Sequence, residues 1–114
     1  MTLFKALLVA MFLGLLAYTG VAVVNDGFDL VTPFFSDLTS LKWPGQFNAD
    51  FLTYLWLSAL WIAWRHKFSG SGIALALVAS VAGILFFSVY LLVSLAKAEG
   101  DMARLLLGEH YLAD

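Results

Sequence analysis

Three aspartates, Asp29, Asp37 and Asp50, stand among aromatic residues in the first half of the chain. Carboxylates in that setting could work as general acid and base, or hold a divalent cation for a phosphorylated lipid. Their spacing matches no metal loop, and plainer roles are open to them. Asp50 follows Asn48 where a helix starts, so Asn48 can cap free backbone N–H groups and the acid can face the positive end of the helix dipole. The other two read as solvated acids. His66, between Arg65 and Lys67, reads as an interface residue whose polar tip reaches for water, and His110 as a solvated tail residue. With no cysteine, disulfides, thiolate metal sites and thiol redox chemistry are excluded. No phosphate loop, nucleophile elbow or zinc-binding helix motif occurs. The expectation is therefore no catalytic residue beyond the candidates Asp29, Asp37 and Asp50, no metal site and no cofactor.

The elements that must carry these residues are set by composition. Of 114 residues, 62% are apolar and 12% charged, where a soluble domain carries about 25% charged residues. Apolar surface in that excess must meet lipid. A chain this short supports a single domain, 1–114. The net charge of -2 and the lack of a broad basic face exclude a nucleic-acid partner.

Three apolar stretches predict three transmembrane helices. Residues 3–24 are interrupted only by Lys5 and would extend about 33 Å, enough to cross the hydrocarbon core. The competing reading is a secretory signal cleaved after Gly20-Val21-Ala22, and the apolar run exceeds the roughly 7–15 residues of an ordinary signal core. Residues 47–64 form the second span, between Pro44-Gly45 and Arg65-His66-Lys67. Residues 72–96 form the third, uncharged throughout and at about 37 Å long enough to require tilt. Ser69-Gly70-Ser71-Gly72 connects the last two as antiparallel neighbours.

The first connection is too apolar for water. Thr32-Pro33 reads as a helix start and Pro44-Gly45 as the following turn, which predicts a short interfacial helix over 33–41. In the tail, 97–114, an amphipathic helix over Asp101–Leu107 would turn Met102, Leu105 and Leu106 to lipid and end at Gly108. Basic residues in short loops set orientation. Lys5, Arg65 and Lys67 share a side only if the N-terminus is cytoplasmic. The connection from Asn25 to Ala49 and the tail, with Lys97 and Arg104 against Glu99, Asp101, Glu109 and Asp114, are then external. His66 and His110 fall on opposite sides.

Each span shows one stripe of small or polar residues: Ala6, Ala10, Gly14 and Ala17; then Asp50, Tyr54, Ser58, Trp61 and Arg65; then Ala76, Ser80, Gly83, Phe87, Tyr90 and Ser94. Helices in lipid associate through such residues. Tyr54, Ser58, Trp61, Ser80, Gly83 and Tyr90 are thus the candidate packing or groove residues. No acid or base lies at the middle of a span, which argues against a pump or coupled carrier.

The segments Pro33-Phe34-Phe35-Ser36-Asp37-Leu38, Phe47-Asn48-Ala49-Asp50-Phe51 and Ser58-Ala59-Leu60-Trp61, closing in Trp64-Arg65, resemble small bacterial multi-span membrane proteins of unknown function. In those an aromatic-rich Asp-Leu segment similarly precedes a span opened by aspartate and closed by tryptophan and a basic residue. The resemblance covers roughly residues 28–66. It implies a bacterial inner-membrane setting and supplies no activity. The expected function is a non-enzymatic accessory or structural subunit, held to other membrane subunits or to copies of itself by helix packing. The alternatives are a lipid- or isoprenoid-modifying enzyme using the three aspartates, and a small oligomeric transporter.

Overall fold

The structure, a computed structural model, describes residues 2–112, so Asp114 of the tail lies outside the described residues. The described chain is all helical. Helix α1 spans Thr2–Asp26, α2 Val31–Ser40, α3 Trp43–Arg65, α4 Gly70–Ala82, α5 Ile84–Lys97 and α6 Met102–Leu107, followed by a 3-10 turn over Gly108–His110.

By length and composition only α1 is both long and apolar enough to cross a membrane, and almost none of it is buried by the rest of the chain. Its inward stripe is Phe4, Leu8, Phe12, Thr19 and Val23; Ala6, Ala10, Gly14 and Ala17 face outward. The expected small-residue seam is therefore on the wrong face. Contact with α5 is made by bulk: Phe4 packs on the buried cluster of Leu95, Ala98 and Leu105.

Helix α3 starts four residues before its expected boundary. Pro44 sits in its first turn, where the missing N–H is not needed. The turn after α2 is made instead by Leu41, in a left-handed conformation, and the extended Lys42. Asp50 consequently lies two turns into the helix and is exposed, not at its start. Asn48 does not cap α3: its Nδ2 donates to Phe34 O of α2 at 3.2 Å, and Gly45 is buried against the backbone of Asp37 and Leu38. Helix α2 starts at Val31, and Asp29 accepts from Thr32 N–H at 3.1 Å. At 23 residues α3 extends about 34 Å, but Gln46, Asn48 and Asp50 make its first turns polar.

The largest correction concerns residues 72–96, which do not form one helix. Gly83 takes φ 72° and ψ −154°, a region almost closed to residues with a Cβ, and the chain reverses there. Ala76 and Ala79 of α4 pack on Ile62 and Ala63 of α3. Beyond the glycine, α5 returns toward the end it came from: Gly83 lies beside Phe51, whereas Tyr90 reaches Arg65 and His66. Helices of 13 and 14 residues extend about 20 Å each, well short of the roughly 30 Å core.

This reversal brings the start of α1, the end of α3, the start of α4, the end of α5 and the tail to one end of the molecule. The two ends of the chain therefore lie together, and His66 and His110 with them, against the expectation of opposite sides.

Gly83→Ala should lower thermal stability in mild detergent by about 1–3 kcal/mol, the strain of a Cβ in this region. A raised melting temperature would mean that α4 and α5 are one continuous helix, in which alanine is favoured over glycine.

Candidate functional site

The polar groups that the fold gathers lie at this shared end, around Arg65. Its side chain is 9% exposed and enters at the last turn of α3. The guanidinium donates from Nε to Leu105 O at 2.5 Å and from Nη1 to Tyr90 OH at 3.2 Å. It also lies over the rings of Trp61 and Tyr90, at 5.9 and 5.8 Å, distances at which a cation gains from the ring quadrupole. Trp61 Nε1 donates to Leu106 O at 3.1 Å. The last carbonyls of a helix have no partner inside it. Arg65 and Trp61 supply two for α6, and a cation suits that negative end.

The same carbonyl logic works in the other direction. Trp64 O, at the end of α3, accepts from His110 Nε2 at 2.7 Å, and the two rings stack with centroids 4.1 Å apart. Gly108 permits the approach, because a Cβ there would run into Arg65. Asp101 starts α6 by accepting from Ala103 and Arg104 N–H, at 3.0 and 3.4 Å. The expected tail helix and its Gly108 stop are thus present. However, Leu105 is buried within the protein, not turned to lipid.

A relay leads outward from Arg65. Tyr90 OH accepts from Arg65 and shares a 2.7 Å hydrogen bond with His66 Nε2, in which either atom can be the donor according to the imidazole tautomer. The other ring nitrogen of His66, Nδ1, is 3.9 Å from Glu109 Oε2. Burial, and next the Arg65 charge, push the His66 imidazolium below its usual range; Glu109 pulls the other way and Lys97 adds to the depression.

The candidates named from sequence divide differently. Phe51, Tyr54, Ser58 and Trp61 of α3 line a cleft of about 430 Å³ together with Ile84 and Phe87 of α5. The Ser58 and Ser80 hydroxyls do not bond across helices but donate to Leu55 O and Leu77 O of their own helices, at 2.7 and 2.6 Å. Gly83 is the reversal point and Tyr90 the centre of the polar cluster. Asp29 serves as the cap of α2, and the Thr32 backbone N–H, then its hydroxyl, hold the Asp29 carboxyl below the ordinary range. Asp37 and Asp50 sit on α2 and α3. No three His, Asp or Glu side chains come together as metal ligands among the described residues.

What sequence reasoning missed is the joining of Arg65, His66 and Tyr90 to the tail. A signal was present in the over-long third apolar stretch, 25 residues with a glycine near its middle, which divides into two shorter helices. Scans of the chain against family models, curated proteins and solved structures found no match.

Because the folded-state value of His66 is depressed, the unfolded chain takes up this proton first as pH falls. Stability from this residue is therefore retained above the usual 6.5 and lost as pH drops below it. Melting temperatures in detergent across pH 5–7.5 should rise with pH, and His66→Asn should flatten the rise. An unchanged slope in the variant would remove His66 as its source.

Proposed function

We propose that this chain is a small bacterial inner-membrane protein in which α1 crosses the bilayer, α3 crosses beside it with its polar first turns among the outer headgroups, and α4–α5 enters about two thirds of the way from the cytoplasmic side. It acts as a non-enzymatic accessory subunit. This replaces the three-span arrangement with an even number of crossings and puts both chain ends in the cytoplasm.

The observation that carries the reading is the distribution of charge along the fold. Lys5, Arg65, Lys67, Lys97 and Arg104, five of the six basic residues, fall at the shared end, and only Lys42 at the other. Cytoplasmic loops hold such an excess. Asp26, Asp29, Asp37 and Asp50 belong to the opposite half, with α2 and its exposed Phe35 beside Leu41 and Trp43 suited to the headgroup layer. The packing of Phe4 and Leu8 within the fold supports retention of α1 over its removal as a signal, since cleavage would uncover Leu95 and Leu105.

A subunit role is supported by how the gathered polar groups are used. Arg65, Tyr90, His66, Glu109 and His110 engage one another and the tail, while the long flanks of α1 and α3, with Leu13, Leu16, Trp56 and Leu60 exposed, offer lateral contact to lipid, to other membrane subunits or to a second copy.

Reporter fusions in the connection at Lys67 and after Leu112 should give the same, cytoplasmic, signal, with a fusion at Leu41 giving the opposite one. Opposite signals at Lys67 and Leu112 would restore three crossings. Purification in mild detergent should recover a stoichiometric protein partner or a defined oligomer; a lone monomer would sink the subunit reading.

A further inference from the structure

Two cavities meet at Arg65 and Lys97, and they differ in character. The first, of about 310 Å³, is a trough that runs along α5 against Leu75 of α4, with an apolar stripe and a polar edge formed by Arg65, His66, Tyr90 and Ser94. Leu75 and Phe86 line its deep part, and Val89 and Val93 continue it toward the shared end. Phe86, Val89, Val93 and Lys97 follow one another at helical spacing along one stripe of α5. The trough thus extends about 16 Å from an aromatic floor near the reversal to a cationic mouth. The second cavity, of about 200 Å³, lies on the far side of the mouth beneath the tail. Its lining includes Arg65, Lys97, Arg104 and Glu109.

Charge at the mouth is unbalanced. Three cations face one carboxylate, and Glu109 is already directed at His66. Lys97 is exposed and pairs with no acid among the described residues. Arg104 stacks on Tyr111 with its guanidinium carbon 5.6 Å from the ring, which holds the group in place without neutralising it. An apolar stripe leading to an under-neutralised basic pocket is the complement of an amphiphile with an anionic head. Basic recesses between helices on the cytoplasmic side suit acidic lipid headgroups in this way.

We propose that these joined cavities bind one anionic phospholipid, with an acyl chain in the α4–α5 trough and its phosphate between Lys97 and Arg104. At 310 Å³ the trough is at the lower limit for a ligand site. It takes one chain and leaves the second in the surrounding bilayer. Arg65 forms the wall between head and tail compartments, and its own bonds to Leu105 and Tyr90 keep that wall fixed. The proposal rests on the membrane reading above, which the reporter fusions test separately.

The test uses the full chain in non-ionic detergent, exposed to phosphatidylglycerol or to phosphatidylethanolamine with the same acyl chains, with bound lipid counted by native mass spectrometry. The expected result is a clear preference for phosphatidylglycerol at a stoichiometry of one. Lys97→Ala or Arg104→Ala should each weaken it roughly fivefold and the pair about twenty-five-fold, from about 1 kcal/mol per cation. Val93→Trp alters no charge and should block the chain, so it too should abolish retention; the half-exposed Val93 site tolerates the larger ring. Val89→Phe provides the same obstruction at a second position. Glycerol phosphate, a head without chains, should not displace the lipid at equal concentration. Equal binding of both lipids, or a preference unaffected by removing both cations, would overturn the proposal. Displacement by glycerol phosphate together with indifference to Val93→Trp and Val89→Phe would also overturn it, and would leave a site for free phosphate in place of one for lipid.

Discussion

A guanidinium taken out of water must find partners for its N–H groups, because an unpaired buried charge costs several kcal/mol. Arg65 meets that demand with a carbonyl from α6, a hydroxyl from α5 and two aromatic faces. Those partners come from sequence positions 25 and 40 residues away, and they can meet only if α5 turns back toward the end of α3. The reversal at Gly83, the position of the tail and the burial of Leu105 are therefore linked through one side chain. Replacing Arg65 by lysine would not preserve the arrangement. A single ammonium cannot reach two directions with the fixed geometry of the guanidinium fork, nor lie flat on Trp61 and Tyr90.

Much of this was legible in the residues and some was not. The helical character, the first apolar helix, the short helix near Pro33 and the Asp101–Gly108 tail helix all follow from local signals: apolar runs, a capping acid, a stop glycine. The stripes on the second and third stretches also identified Trp61, Gly83 and Tyr90 as inward-facing. Local signals failed where two physical rules point in different directions. Pro44-Gly45 can close one helix or open the next, and only the burial of Gly45 on α2 decides between them. Gly83 is tolerated in a straight helix at a modest cost and becomes a reversal only when a distant partner gains from it. In α1 the search for small residues selected the wrong face, because Phe4 and Leu8 fill the seam with bulk.

The proposed orientation departs from the one expected from sequence for a related reason. The count of basic residues was sound, yet it assumed that every apolar stretch of sufficient length crosses once. With Lys97 and Arg104 forced to the far side by that assumption, the rule had to tolerate two cations in the wrong compartment. Folding α5 back returns both to the side of Lys5, Arg65 and Lys67, and the tail carbonyls gain donors by the same movement. The charge distribution and the tail's hydrogen bonds both support the proposed topology.

In the proposed arrangement α4 and α5, at about 20 Å each, stop short of the far side of the bilayer and make the molecule unequal in its two halves. Near the shared end four helices, α1, α3, α4 and α5, lie side by side, whereas beyond Gly83 only α1 and α3 continue. On the proposed topology the chain would displace more lipid from the cytoplasmic leaflet than from the outer one, with α2 partly offsetting this at the outer surface. Such a wedge fits a membrane that bends toward it, and many copies inserted in the same orientation would expand one leaflet against the other. On that topology the shape of the fold would couple this protein to the lateral tension and curvature of the membrane around it, through area alone and without any chemistry at a site.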